Sequence, residues 1–266
     1  MTSALPAVLR GAELRYEGGR IGLAGVDLAL GAGEIVGLVG ANGAGKSSLL
    51  GLLAGRITPT AGTVEFAGKP AAAWPGPARR QAVTLVEQDP ALDPEMTAAE
   101  HLALFASLSG LRGGAVAARI RAVAVAFEVV PWQHVRVARL SGGQRQRLHL
   151  AIGALAPASL VLFDEPTNAL DPQARSRFWQ ALAADRTADR SFVVATHLVD
   201  DVVSHCDRVW AMSGGRVIAD GTPAEVLAAA GVDSLAALLA REPDPASGSE
   251  GAGHPRGRRG TGRGRV

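Results

Sequence analysis

The stretch Gly40-Ala41-Asn42-Gly43-Ala44-Gly45-Lys46-Ser47 fits the phosphate-loop pattern G-x-x-x-x-G-K-[ST] at every required position. Residues 34–39 before it read as a buried strand. Residues 46–54 after it read as a helix with Leu49, Leu50, Leu52 and Leu53 to bury. The motif therefore has the strand–loop–helix setting it requires, which points to an α/β core. Glycines let successive backbone N–H groups converge on one point, and the helix N-terminus adds partial positive charge there. Lys46 supplies a full charge for outer phosphates, and the Ser47 hydroxyl is placed to ligate Mg²⁺. A plain glycine-rich turn would have no use for the Lys-Ser pair.

A second element follows from the first. Leu160-Val161-Leu162-Phe163 is a short apolar run of the type found in central parallel strands, and it ends in Asp164-Glu165. A carboxylate at the end of a buried strand is where Mg²⁺ beside a phosphate loop needs one, which assigns Asp164 to the metal. Glu165 can polarise the water that attacks the γ-phosphate. Two acids that merely close a strand are the plainer reading, and the upstream phosphate loop counts against it.

The rest of the chain divides by pattern. Strands are expected at 8–10, 12–16, 21–30 and 34–39, with Val26, Leu28 and Leu30 alternating against Asp27 and Ala29. A turn at 58–62 precedes strands at 63–66 and 83–87. Residues 95–156 turn helical. Thr97 with Glu100 and Ser141 with Gln144 make capping boxes. Leu102, Phe105 and Leu108 fall on one face, Gly110 is a helix stop, and Val116, Ile120, Val123 and Phe127 repeat the helical spacing. Leu148, Ile152 and Leu155 follow before Pro157. Asp171-Pro172 opens a helix, 191–195 is a buried strand, 208–219 is a hairpin through Ser213-Gly214-Gly215, and Thr222-Pro223-Ala224-Glu225 caps one more helix. The expected unit is 1–242, with 243–266 a disordered tail holding Arg256, Arg258, Arg259, Arg263 and Arg265 against Asp244 and Glu250.

The net charge of +2 over 266 residues gives the folded part no strong pull on polyanions. A single cysteine, Cys206, allows no internal disulfide and fits a reducing compartment. The first residues lack a signal-peptide layout. No run reaches about 18 apolar residues, so the chain is not expected to cross a membrane itself.

Leu140-Ser141-Gly142-Gly143-Gln144 decides the family. Here the chain resembles the nucleotide-binding subunits of ATP-binding cassette (ABC) transporters, over roughly residues 8–230. The resemblance implies a P-loop NTPase core with a mostly parallel central sheet, an N-terminal antiparallel β subdomain and an inserted α-helical subdomain at about 95–156. It implies ATP and Mg²⁺ as cofactors, bound between two such subunits packed head to tail as a homodimer or a heterodimer. Ser141, Gly142, Gly143 and Gln144 of one then close on the γ-phosphate held by the phosphate loop of the other.

Other positions take family roles one by one. Gln88 matches the loop glutamine that touches Mg²⁺ or the attacking water. Asp171 resembles the aspartate that reaches across the dimer. His197 is similar to the switch histidine at the γ-phosphate. Tyr16 stands where an aromatic stacks on adenine, its plainer alternative being ordinary packing. Ser48 stands where the family often has Thr, and Ala41 where proline is frequent. No motif the chemistry needs is missing.

The function so implied is an ATPase subunit serving separate transmembrane permease subunits. It would sit peripherally on the cytoplasmic face of the inner membrane. The run Thr167-Asn168-Ala169-Leu170-Asp171-Pro172 leans toward exporter-type members. The competing reading is a soluble cassette ATPase acting on nucleic acid or the ribosome. It is disfavoured by the single cassette and by the lack of a heptad run between Lys46 and Ser141. A binding module without turnover is disfavoured by Glu165 and His197.

Overall fold

The computed structural model describes residues 6–74, 82–89 and 91–241. The expected tail at 243–266 lies outside the described residues. Two sheets organise the fold. The first, in the order β2-β1-β4-β5, is antiparallel: β1 (Ala7–Arg15) pairs with β2 (Ile21–Leu30) and β4 (Ala61–Phe66), and β4 with β5 (Lys69–Pro70). The second has the order β10-β9-β3-β8-β7-β6. In it β3 (Ile35–Gly40), β6 (Val83–Val86), β7 (Leu160–Asp164), β8 (Ser191–Ala195) and β9 (Arg208–Ser213) run parallel, and β10 (Arg216–Gly221) is an antiparallel edge.

The burial of each strand follows from its neighbours. All of β3 and β8 is buried, as expected where both faces of a parallel sheet are covered. Alternate residues divide between two cores. Ile35, Val39, Val161, Phe163, Phe192 and Val194 pack on the helical side. Val36, Leu38, Leu160, Leu162, Val193 and Ala195 pack on the side of the antiparallel sheet. In β2, Val26, Leu28 and Leu30 are buried and Asp27 is exposed, so the alternation expected there is present.

The two short strands expected at 8–10 and 12–16 form one bulged strand. The Gly11 N–H leaves the ladder to donate to Asp27 Oδ1 at 2.7 Å, and the register shifts between Leu9 and Ala12. Residues 61 and 62, expected in a turn, belong to β4, because Ala61 pairs with Glu13.

The helical block contains α2 (Ala98–Leu108), α3 (Gly114–Ala126) and α4 (Gly142–Leu155), after α1 (Lys46–Leu53). Both expected capping boxes form. Glu100 N donates to Thr97 Oγ1 and Thr97 N to Glu100 Oε2, and Gln144 N and Ser141 N make the reciprocal pair. Leu102, Val123, Phe127, Leu148 and Leu155 are buried. Leu108 is not: at 69% exposed it lies at the last turn, where the apolar face of α2 has run past its neighbours.

Beyond β7 come α5 (Pro172–Asp185), α6 (Val199–His205), α7 (Pro223–Ala230) and α8 (Leu235–Arg241). Two of these, α6 and α8, carry too short an apolar pattern to be seen in the sequence. The approach of α6 to β3 needs Gly37, since a Cβ there would overlap the buried Val202 side chain. Among the described residues no single helix is long and apolar enough to cross a membrane.

One buried cation holds the end of α4. Arg190 is 9% exposed and donates to the carbonyls of Ala154, Ala156 and Ala158 at 3.1, 2.8 and 2.9 Å, with Asp185 Oδ2 3.0 Å from its Nε. Helix C-termini leave such carbonyls without intrahelical donors. Arg190→Ala is expected to lower stability by about 2 kcal/mol, since the Ala156 and Ala158 carbonyls lose their side-chain donor, while Ala154 and Asp185 keep Arg119. The check is the midpoint of denaturant unfolding, and an unchanged midpoint contradicts this role.

Candidate active site

The C-terminal ends of β3, β7 and β8 converge on the phosphate loop. Gly45 has φ 108°, and a Cβ there would lie 2.6 Å from the Gly22 carbonyl. Only glycine gives the loop this turn into α1. No side chain caps the first turn of α1, so its N–H groups stay available to an anion. Lys46 is 7% exposed. Its Nζ donates to Gly40 O at 2.8 Å and to Ala41 O at 3.4 Å, and stands 3.7 Å from Glu165 Oε1. The ammonium thus bridges the loop and the acid at the end of β7.

Asp164 closes β7. Burial pushes its carboxyl above the usual range, a hydrogen bond from Ser47 opposes that rise, and the nearby Glu165 charge adds to it. A hydroxyl and a carboxylate side by side next to a phosphate-binding loop suit Mg²⁺, which takes few protein oxygens and keeps the rest for water and phosphate. Gln88 is exposed just past β6. Val86 pairs with Phe163, so Gln88 leaves the sheet beside the Asp164–Glu165 end, with no side-chain hydrogen bond among the described residues.

Glu165 has φ 50°, a left-handed conformation that is costly for a residue with a Cβ. It is fixed by its N–H, which donates to Ala195 O at 2.9 Å. Its side chain is only 11% exposed, with Oε2 2.9 Å from His197 Nδ1 and 3.3 Å from the His197 N–H. The strained turn thus aims the carboxylate between Lys46 and His197. Beside this cluster the Tyr16 hydroxyl and Ser48 Oγ are 3.0 Å apart, and the Arg20 guanidinium lies 4.3 Å from the Tyr16 ring centroid. Arg20 had no motif to mark it, though a cation four residues past a lone aromatic is a weak signal of such a contact.

Lys46, Ser47, Asp164, Glu165 and His197 therefore form one cluster, with Tyr16 and Ser48 at its side. Ser141, Gly142, Gly143, Gln144 and Asp171 make no hydrogen bond or ion pair with it among the described residues. They form a second group, in which Asp171 caps α5 by accepting from Ala174 N at 2.9 Å. Ser141 is exposed. A Cβ at Gly142 would meet nothing within 4 Å, and at Gly143 only Ala169 O at 3.9 Å. Packing within the chain thus does not ask for either glycine, although each costs about 1 kcal/mol of helix stability.

Comparison with known proteins identifies the family. The ABC transporter family model matches residues 23–168. The Nod factor export ATP-binding protein I of Burkholderia orbicola (strain AU 1054) is 34% identical over 223 residues, which is 83% of this chain and 72% of that protein. A solved ATP binding subunit of an ABC transporter superposes with a TM-score of 0.81 at 26% identity, over 88% of this chain and 98% of that one. An ATP-binding cassette solved as a dimer in a post-hydrolysis state with ADP and Pi shares the fold, with a TM-score of 0.72 at 24% identity over 81% of this chain and 98% of that one. The chain belongs to the ABC transporter family, as an ATP-binding domain that hydrolyses ATP.

Proposed function

We propose that this chain powers a membrane exporter by ATP-driven closure of two cassettes head to tail. One observation carries the reading. The helix start Ser141-Gly142-Gly143 presents a hydroxyl and bare backbone to open space, with no use for its glycines inside the chain. A second cassette laid against it, bearing ATP on its own phosphate loop, gives those glycines a purpose: close approach of backbone N–H groups to a γ-phosphate. Asp171, close by in the chain to Ala169, would sit in the same contact.

Within one chain, Gly40–Ser48 would hold the phosphates, Lys46 would exchange its carbonyl partners for the β- and γ-phosphates, and Tyr16 would stack on adenine. Ser47, Asp164 and Gln88 would hold Mg²⁺, which when bound neutralises the phosphate charge. Glu165 would orient the attacking water and accept its proton, while His197 fixes the carboxylate and faces the γ-phosphate. Closure commits both sites to hydrolysis, and loss of the γ-phosphate reopens them. Separate permease subunits would take up this motion, which places the chain peripherally on the cytoplasmic face of the membrane. The run from Thr167 to Pro172 and the export named for the Burkholderia relative support the outward direction.

Affinity purification of the tagged full chain from solubilised native membranes tests the partner. A multi-span membrane protein in stoichiometric amount is the expected result. Recovery with ribosomes or nucleic acid, and none with membrane protein, would contradict it.

A further inference from the structure

Two polar side chains on α4, Gln146 and His149, are three residues apart and share a helix face. Gln146 is 6% exposed and donates Nε2 to the Pro166 carbonyl at 2.8 Å. His149 Nε2 lies 2.8 Å from the Glu87 carbonyl. A carbonyl only accepts, so His149 carries its proton on Nε2. Pro166 directly follows Glu165, and Glu87 directly precedes Gln88. The helix that opens with Ser141 thus grips the backbone beside both groups. Burial draws the His149 imidazole below its usual pKa, against the opposing pull of the Glu87 carbonyl and the Glu87 and Asp89 charges. The Glu87 side chain is held separately, by an ion pair with Arg56, so His149 anchors its backbone and Arg56 its carboxylate.

We propose that His149 is a positioning residue for Gln88. Its hydrogen bond to the Glu87 carbonyl orients the peptide from which Gln88 leaves the sheet, and ties that peptide to the helix whose first turn carries Ser141. Movement of α4 on closure would then reach Gln88 directly. The inference rests on the reading of Gln88 as an active-site group.

The test is a double-mutant cycle on the full chain, reading kcat and KM for ATP together with the melting temperature. His149→Ala should lower kcat about 5-fold, the worth of one net hydrogen bond, with KM unchanged. His149→Gln, whose amide N–H can reach a carbonyl, should recover most of that loss. Added to Gln88→Ala, His149→Ala should change nothing further. An equal fall in both backgrounds, or a fall that tracks the melting temperature in every variant, overturns the proposal and leaves Gln88 in place. An unchanged kcat in Gln88→Ala alone removes Gln88 from the site, and the proposal with it.

Discussion

Glu165→Gln is expected to bind ATP as the unaltered chain does and to lose turnover by about 10²–10⁴-fold, the loss typical of a missing general base. Glutamine keeps the size and shape of the side chain and can still accept from the His197 N–H. It cannot take a proton from water. The backbone at φ 50° and the Ala195 contact are main-chain features, so the substitution leaves the turn as it is. The lysine contact at 3.7 Å is lost as an ion pair, but the Lys46 ammonium keeps the Gly40 carbonyl, and a triphosphate outbids both. Phosphate release in single turnover measures the effect. Turnover at the original rate would take Glu165 out of its role and shift the search for the base to another group.

Ser141→Arg is expected to leave nucleotide binding by the monomer intact and to abolish ATP-dependent dimerisation. Ser141 is exposed and belongs to the group that does not touch the chain's own phosphate loop. A long cation there meets open space in one chain and would meet the facing cassette in the proposed head-to-tail pair. The substitution also removes the cap of α4, at a cost of about 1 kcal/mol, which is well within the stability of an ordinary domain. Retained ATP affinity with a cooperative melt lowered by only about 2–4 °C therefore assigns the loss to the contact between subunits.

Features written in adjacent residues were legible in the sequence. The phosphate loop, the acids ending β7 and the capping boxes at Thr97, Ser141 and Thr222 each depend on spacings of a few residues, and each forms where expected. The split of the core between two faces of the sheet was half legible: alternation shows that a strand has two faces, not what covers them. Features set by distant partners were not. The hold of Arg190 on the end of α4 depends on two elements far apart in sequence. The left-handed turn at Glu165 stands beside the Ala195 carbonyl of the neighbouring strand, to which its N–H donates. Lys46 was expected to reach for phosphate, and its resting partners, the loop carbonyls and Glu165, follow from how the loop curls around it. Leu108 failed because periodicity names a face without saying where that face stops being covered.

The second group of site residues shows the limit most clearly. Ser141-Gly142-Gly143 looks complete as a helix cap, and the open space around its glycines is the one feature in the chain that supports the proposed partner there. The proposed ATP site is thus shared between two cassettes. Sedimentation velocity of the full-length Glu165→Gln chain, compared in Mg²⁺-ATP and in Mg²⁺-ADP, tests it most directly. The expected result is a dimer with ATP, a monomer with ADP, and a monomer in both once Ser141→Arg is added. A chain that stays monomeric in saturating ATP, or an ATP dimer indifferent to Ser141→Arg, would contradict it.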